Sequence, residues 1–240
     1  MDYANTYTSE VMQRSDGRQS LQNGILKIGD ALCAVAYAHG ITYDQLCRRF
    51  PEVENNNRWE GNRYTVEDQL EFIRSNATRQ PKKVLEIGGG RGEVTVFLSK
   101  LGITVTCVEP GADAHQLFTA TNEKLFPHEQ FDYTLLNTTL HESGVDYSEF
   151  DTILMVESLE HILAEHFDPQ WQQIVQTFSG YFVVVNWLAY HPIAVGQYAP
   201  KHIHCRLVDE ALYDVFCQSG KTITRQQSHL CVHVNPDAVN

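Results

Sequence analysis

From Val84 onward, short β-rich apolar runs alternate with segments of helical periodicity, an order that restricts this part of the chain to a parallel α/β sheet. Strand-like runs fall at 83–87, 103–108, 132–136, 151–156, 181–187, 221–226 and 229–234. Between the first two, Val94, Phe97, Leu98 and Leu101 recur at helical spacing and Gly102 follows as a stop. A second helix is expected over Asp168 to Phe178. In a third, Leu212, Val215, Phe216 and Ser219 share a face and Gly220 closes the segment, before two runs that read as an antiparallel terminal pair. The run Tyr181 to Trp187 is almost wholly apolar, as in a strand covered on both faces.

Residues 1–80 stand outside this alternation. Leu26, Leu32, Cys33, Val35, Ala36 and Tyr37, and then Val66, Leu70, Phe72 and Ile73, predict a mainly helical cap. Pro51 and Glu54-Asn55-Asn56-Asn57 break that region, and Arg58 to Tyr64 places Trp59, Tyr64 and two arginines in a loop suited to covering a ligand. The expected division is therefore a cap over 1–80 and an α/β domain over 81–240.

Composition narrows the partners. The net charge is −12, and the densest basic groups are Arg48-Arg49 and Lys82-Lys83. A surface that releases counterions from a phosphate backbone needs more clustered cations than that, so nucleic acid is disfavoured. No apolar run reaches the length of a membrane span, and the polar start MDYANTYTSE lacks the regions of a secretory signal. The 6 cysteines form no C-x-x-C pair, which fits reduced thiols in a cytoplasmic protein.

The first strand runs directly into glycines: Val84-Leu85-Glu86-Ile87-Gly88-Gly89-Gly90-Arg91-Gly92. Glycines at the end of a strand, before a helix, let a ligand approach the backbone closely. Dinucleotide folds place G-x-G-x-x-G there to seat a pyrophosphate, but here Glu93 occupies the third glycine's place and Glu86 precedes the turn. Two carboxylates repel a pyrophosphate and suit a ligand with a cationic end. The second strand ends at Glu109, about twenty residues past the turn, where an acid can accept from both ribose hydroxyls.

With its acid-x-Gly-x-Gly-x-Gly turn, the chain resembles the class I methyltransferases that use S-adenosylmethionine. The resemblance implies a Rossmann-like fold, a seven-stranded, mostly parallel, doubly wound sheet ending in an antiparallel pair. It also implies that Gly88, Gly90 and Gly92 shape the floor under the methionine part of the cofactor. Glu86 would orient backbone and amino group, and Glu109 would hold the ribose. The family usually offers an acid to adenine after its third strand. This chain has Asn137-Thr138 instead, and the Asn137 amide or Thr138 hydroxyl is the expected contact.

The fourth strand leads into Glu157-Ser158-Leu159-Glu160-His161. Many small-molecule methyltransferases carry a similar Leu-Glu-His, which the resemblance places on the substrate side with Glu157 also near the cofactor. Methyl transfer to a hydroxyl needs a base, and His161 and His204 are the candidates, grouped with Glu157 as catalytic. The acceptor is expected to be a small molecule methylated at oxygen or nitrogen, with Tyr190-His191-Pro192 and Tyr198 lining its pocket.

A second resemblance, to small-RNA terminal 2′-O-methyltransferases, rests on Glu157-x-x-Glu160-His161. It implies a divalent metal held by Glu157, Glu160, His161 and His204, or His202. The acidic surface and the presence of the motif in metal-free relatives make the metal the less favoured reading. A third reading, of another class, is a catalytically inactive cofactor-binding or scaffolding protein.

Overall fold

A computed structural model describes residues 82–100, 102–125, 128–156, 158–185, 208–226 and 229–237. The expected cap, the Arg58–Tyr64 loop, Tyr190, Tyr198, His202 and His204 lie outside the described residues, as does Glu157.

The elements are β1 (Lys83–Ile87), α1 (Glu93–Lys100), β2 (Thr104–Val108), α2 (Ala114–Leu125), β3 (Tyr133–Leu136), β4 (Thr152–Val156), α3 (Ala164–Thr177), β5 (Gly180–Val185), α4 (Glu210–Gln218), β6 (Gly220–Gln226) and β7 (His229–Val234). The strands form one seven-stranded sheet in the order β3-β2-β1-β4-β5-β7-β6. The first five pair in parallel, whereas β7 runs antiparallel to both β5 and β6. This is the Rossmann-like sheet with an antiparallel terminal pair. Chain order reverses between β1 and β4, and ligands in open α/β sheets bind at the strand exits beside such a reversal.

The pleat explains why these strands need cover on both sides. Leu85, Ile87, Ile153, Met155, Phe182 and Val184 join one buried cluster with Phe167, Trp171 and Ile174 of α3 and Leu212, Tyr213 and Phe216 of α4. Their alternates Val84, Leu154, Val156 and Val183 join a second cluster with Val94 and Leu98 of α1. Successive side chains point to opposite faces of a strand, so continuous apolar runs fit a sheet with helices on both sides. Trp171 packs 4.6 Å from Phe216 and 4.8 Å from Phe182, ring centre to ring centre. Each fully buried large side chain contributes about 1.5–3 kcal/mol of transfer free energy.

Three details differ from the sequence reading. Helix α3 begins at Ala164, and Pro169 lies inside it. Asp168-Pro169 has the composition of a helix start, but in place the proline lies in the second turn, where it removes one helical hydrogen bond and crowds the Glu165 carbonyl. On α4 the buried stripe is Leu212, Tyr213 and Phe216, with Val215 43% exposed. Helical periodicity puts Tyr213 and Val215 equally far from the centre of the Leu212–Phe216 pair. The larger ring is the one buried, and the Arg225 guanidinium stands 5.9 Å from its centre. Lastly, Ser219 caps α4, and Gly220 is the first residue of β6, where a Cβ would fall 2.1 Å from the His233 carbonyl oxygen. Close approach of β7 requires that glycine.

Among the described residues, no helix is long and apolar enough to cross a membrane.

Candidate active site

The turn after β1 requires glycine at four positions, for two different reasons. Gly88, Gly90 and Gly92 have φ of +78°, +59° and +82°, the left-handed region that side chains resist. Gly89 is required by space, since a Cβ there would lie 2.3 Å from Cys107 Sγ and 3.0 Å from the Phe118 ring. Gly92 packs on the same ring, with 2.6 Å left for a Cβ. The turn is pinned by Gly88 N donating to the Val108 carbonyl at 2.8 Å and closed by Gly92 N donating to Gly89 O at 2.9 Å. Val96 N then donates to Gly92 O at 2.9 Å as α1 begins.

Beneath the turn lies Glu86, which is 2% exposed and whose Oε2 accepts a hydrogen bond from Thr95 Oγ1 on α1. A buried carboxylate is tolerable only when hydrogen-bonded. Burial, and secondarily the negative charge of Glu86, push the Cys107 thiol well above its usual range. The thiol therefore stays neutral and adds no third charge under the turn.

Glu109 joins two loops. Its Oε2 accepts from Gly90 N at 2.7 Å and its Oε1 from Gly111 N at 2.8 Å. Two backbone N–H groups on the two oxygens of one carboxylate fix its position. The loop after β3 closes the arrangement. Asn137 Nδ2 donates to the Glu109 carbonyl at 2.8 Å and to the Gly111 carbonyl at 2.6 Å. Glu109 N and Thr138 N both donate to Leu136 O, at 3.0 and 2.9 Å. Glu86, the three motif glycines, Glu109, Asn137 and Thr138 thus gather at the exits of β1, β2 and β3.

The exit of β4 meets this group at Gly88. A Cβ on Gly88 would fall 2.4 Å from Ser158 Cβ. Ser158 is 6% exposed, and its hydroxyl oxygen is buried without a hydrogen-bond partner among the described residues. The 3-10 turn Leu159–His161 follows, with His161 N donating to Ser158 O at 3.0 Å. Glu160 is buried, and its Oε1 lies 3.8 Å from His161 Nε2. Glu157 and His204, the other members of the expected catalytic and metal sets, are outside the described residues. Among the described residues no group of three or more His, Cys, Asp or Glu is placed to hold a metal.

Sequence reading did not find Thr95, Gly89, Phe118 or Ser158. A Thr at the third helical position after a buried strand acid was the available signal for Thr95. The others become visible only once β2, α2 and β4 are packed against the turn.

A family model described as a methyltransferase domain matches residues 58–224, more than half of the chain. The chain belongs to the methyltransferase domain family. Its sheet order and glycine turn place it in the class I group of such methyltransferases. No curated protein sequence matches it at a significant level. Solved structures share the fold at low identity. A candidate O-methyltransferase from Nostoc punctiforme is 14% identical with TM-score 0.48, over 70% of this chain and 55% of that one. Monomeric WbdD is 14% identical with TM-score 0.50, over 77% of this chain and 44% of its own. The magnesium protoporphyrin IX methyltransferase of Synechocystis, crystallised with bound S-adenosylhomocysteine, is 10% identical with TM-score 0.46, over 78% of this chain and 94% of its own. The chain spans about half the length of the first two.

S-adenosylmethionine is the cofactor that this methyltransferase family implies, and the residues fit it. The turn presents backbone without Cβ atoms, and Glu86 and Glu109 flank it with negative charge suited to a sulfonium and an ammonium.

Proposed function

We propose that this methyltransferase moves the methyl group of S-adenosylmethionine to an oxygen or nitrogen of a small-molecule acceptor. The observation that carries the reading is the Glu109 carboxylate, fixed between the N–H groups of Gly90 and Gly111 beside a glycine turn with a second buried acid. The cofactor supplies an electrophilic methyl on a sulfonium. Gly88, Gly90 and Gly92 hold its methionine part, Glu86 orients the amino end, Glu109 binds the ribose, and Asn137 and Thr138 border the base.

His161 serves as the base that takes the acceptor's proton, with Glu157 and His204 completing the acceptor side. A neutral imidazole suits this role near pH 7. In-line displacement at a methyl carbon gains most from orientation, so His161 on a turn anchored to the β4 exit is well supported for its task. A small acceptor fits the net charge of −12. Residues 1–80 form the cap that closes over the acceptor, and the free thiols of Cys107, Cys217 and Cys231 fit a cytoplasmic setting.

The test is a thermal-shift series with separate ligands, followed by turnover with truncated protein. S-adenosylhomocysteine should raise the melting temperature and NADH should not; the reverse pattern overturns the reading. Deletion of 1–80 should abolish turnover, and retained turnover removes the cap from the mechanism. Turnover unaffected by EDTA is expected, and loss with EDTA would favour the metal-dependent alternative.

A further inference from the structure

We propose that Asn137 is a positioning residue for Glu109, acting on the ribose end of the cofactor through the main chain, rather than the reader of adenine. The inference rests on the reading of Glu109 as ribose ligand.

A carboxamide nitrogen carries two hydrogens, and both are used. They go to the carbonyls of Glu109 and Gly111, at 2.8 and 2.6 Å. Two carbonyl acceptors at hydrogen-bond distance require the nitrogen there, so the orientation of the amide follows from its partners. Between the two carbonyls lies Pro110, whose ring restricts φ. Holding both ends of this three-residue segment fixes the direction in which Gly111 N points, and Gly111 N donates to Glu109 Oε1 at 2.8 Å. The same carboxylate receives Gly90 N on its other oxygen at 2.7 Å. Asn137 therefore lies one covalent segment away from the acid and holds it in register with the glycine turn.

This accounts for an amide where the family usually has an acid. A carboxylate at 137 would face two carbonyl oxygens with no hydrogen to offer either. It would push the segment away and release Gly111 N from Glu109.

The two roles separate in a ligand-modification cycle by calorimetry on the full chain. S-adenosylhomocysteine, its 2′,3′-dideoxy analogue and S-inosylhomocysteine are titrated into wild type, Asn137→Ala and Asn137→Asp. Wild type should lose about thirtyfold on removal of the ribose hydroxyls, the worth of charge-assisted hydrogen bonds. Asn137→Ala should bind S-adenosylhomocysteine about tenfold more weakly, and the dideoxy penalty should shrink to about threefold because the same contact is already impaired. The inosyl penalty should be equal in wild type and Asn137→Ala. Asn137→Asp, with side-chain volume preserved, should bind more weakly than Asn137→Ala.

An undiminished dideoxy penalty in Asn137→Ala, with the inosyl penalty lost, overturns the proposal and makes Asn137 the adenine contact. So does tighter binding by Asn137→Asp, since a carboxylate would then be accepting from the adenine amine. If wild type binds S-adenosylhomocysteine but shows no dideoxy penalty, the ribose role of Glu109 fails, and this proposal fails with it. Absence of any binding by wild type would instead overturn the cofactor reading itself.

Discussion

The exits of β1, β2 and β3 and the exit of β4 meet at Gly88, yet they are built in opposite ways. On the first side each acid is occupied: Glu86 by Thr95, Glu109 by two glycine N–H groups. On the second, the Ser158 hydroxyl is buried without a partner among the described residues. A site that binds a constant cofactor gains from being fixed beforehand, because no ordering cost remains at binding. A site that must change protonation state and admit an acceptor cannot be closed in the same way. On the proposed reading, cofactor affinity lies on one side of Gly88 and chemistry on the other.

The largest effect should come from breaking the fixed side. Gly92→Ala puts a Cβ 2.6 Å from the Phe118 ring at a φ of +82°. The substitution should cost about 3 kcal/mol of stability and weaken S-adenosylhomocysteine more than about a hundredfold. Chemical unfolding and calorimetry check both, and unchanged affinity would mean that the turn does not carry the ligand.

His161→Ala tests the other side. It should lower kcat by about a hundredfold, the low end of general base catalysis, while leaving cofactor affinity within about twofold. An equal loss in both would erase the distinction between the two sides.

Alkaline stability compares two buried thiols, Cys107 on β2 and Cys231 on β7. Burial pushes Cys231 up from 9.0 to about 12, and it pushes Cys107 up in the same direction. A thiol held neutral in the folded state costs nothing below its unfolded value, where both states are protonated. Above pH 9 the unfolded chain loses its proton and the folded one does not, so stability falls as pH rises towards 12. The loss is about 1.4 kcal/mol per pH unit for each thiol. Cys231→Val should flatten this fall between pH 9 and about 11 without touching ligand affinity. Cys107→Val should flatten it too, but also loosen the turn above it, because the thiol packs beneath Gly89.

Ser158→Ala should give the smallest change. Removing a buried hydroxyl that lacks a partner in the free protein is neutral or stabilising by up to about 1 kcal/mol. A melting temperature lowered by several degrees would show that the hydroxyl is bonded in the free protein.

Much of this was legible in the sequence because it depends on local chemistry. The strands are short apolar runs bounded by turn residues, and the glycine turn and Glu109 follow from backbone sterics and strand length. What was not legible depends on packing between distant segments. Gly89 is fixed by Cys107 and Phe118, and Ser158 by Gly88. The α4 stripe was ambiguous because periodicity places Tyr213 and Val215 symmetrically. Helix α3 starts at Ala164 rather than Asp168, and its Phe167 joins the cluster that packs on the sheet. The partners of the Asn137 amide, carbonyls 26 and 28 residues earlier, likewise depend on how the loops after β2 and β3 meet.

The central claim is that a cofactor's ribose is held by Glu109 beside the glycine turn. Calorimetry of wild type and Glu109→Gln with S-adenosylhomocysteine tests it most directly, because Gln preserves shape and removes the charge and one acceptor oxygen. The account predicts one binding site in wild type and affinity lower by at least about thirtyfold in the variant, with the unfolding midpoint also lowered, because the new amide nitrogen must face the N–H of Gly90 or Gly111. Equal affinity in the two proteins, or no binding heat in wild type, would contradict it.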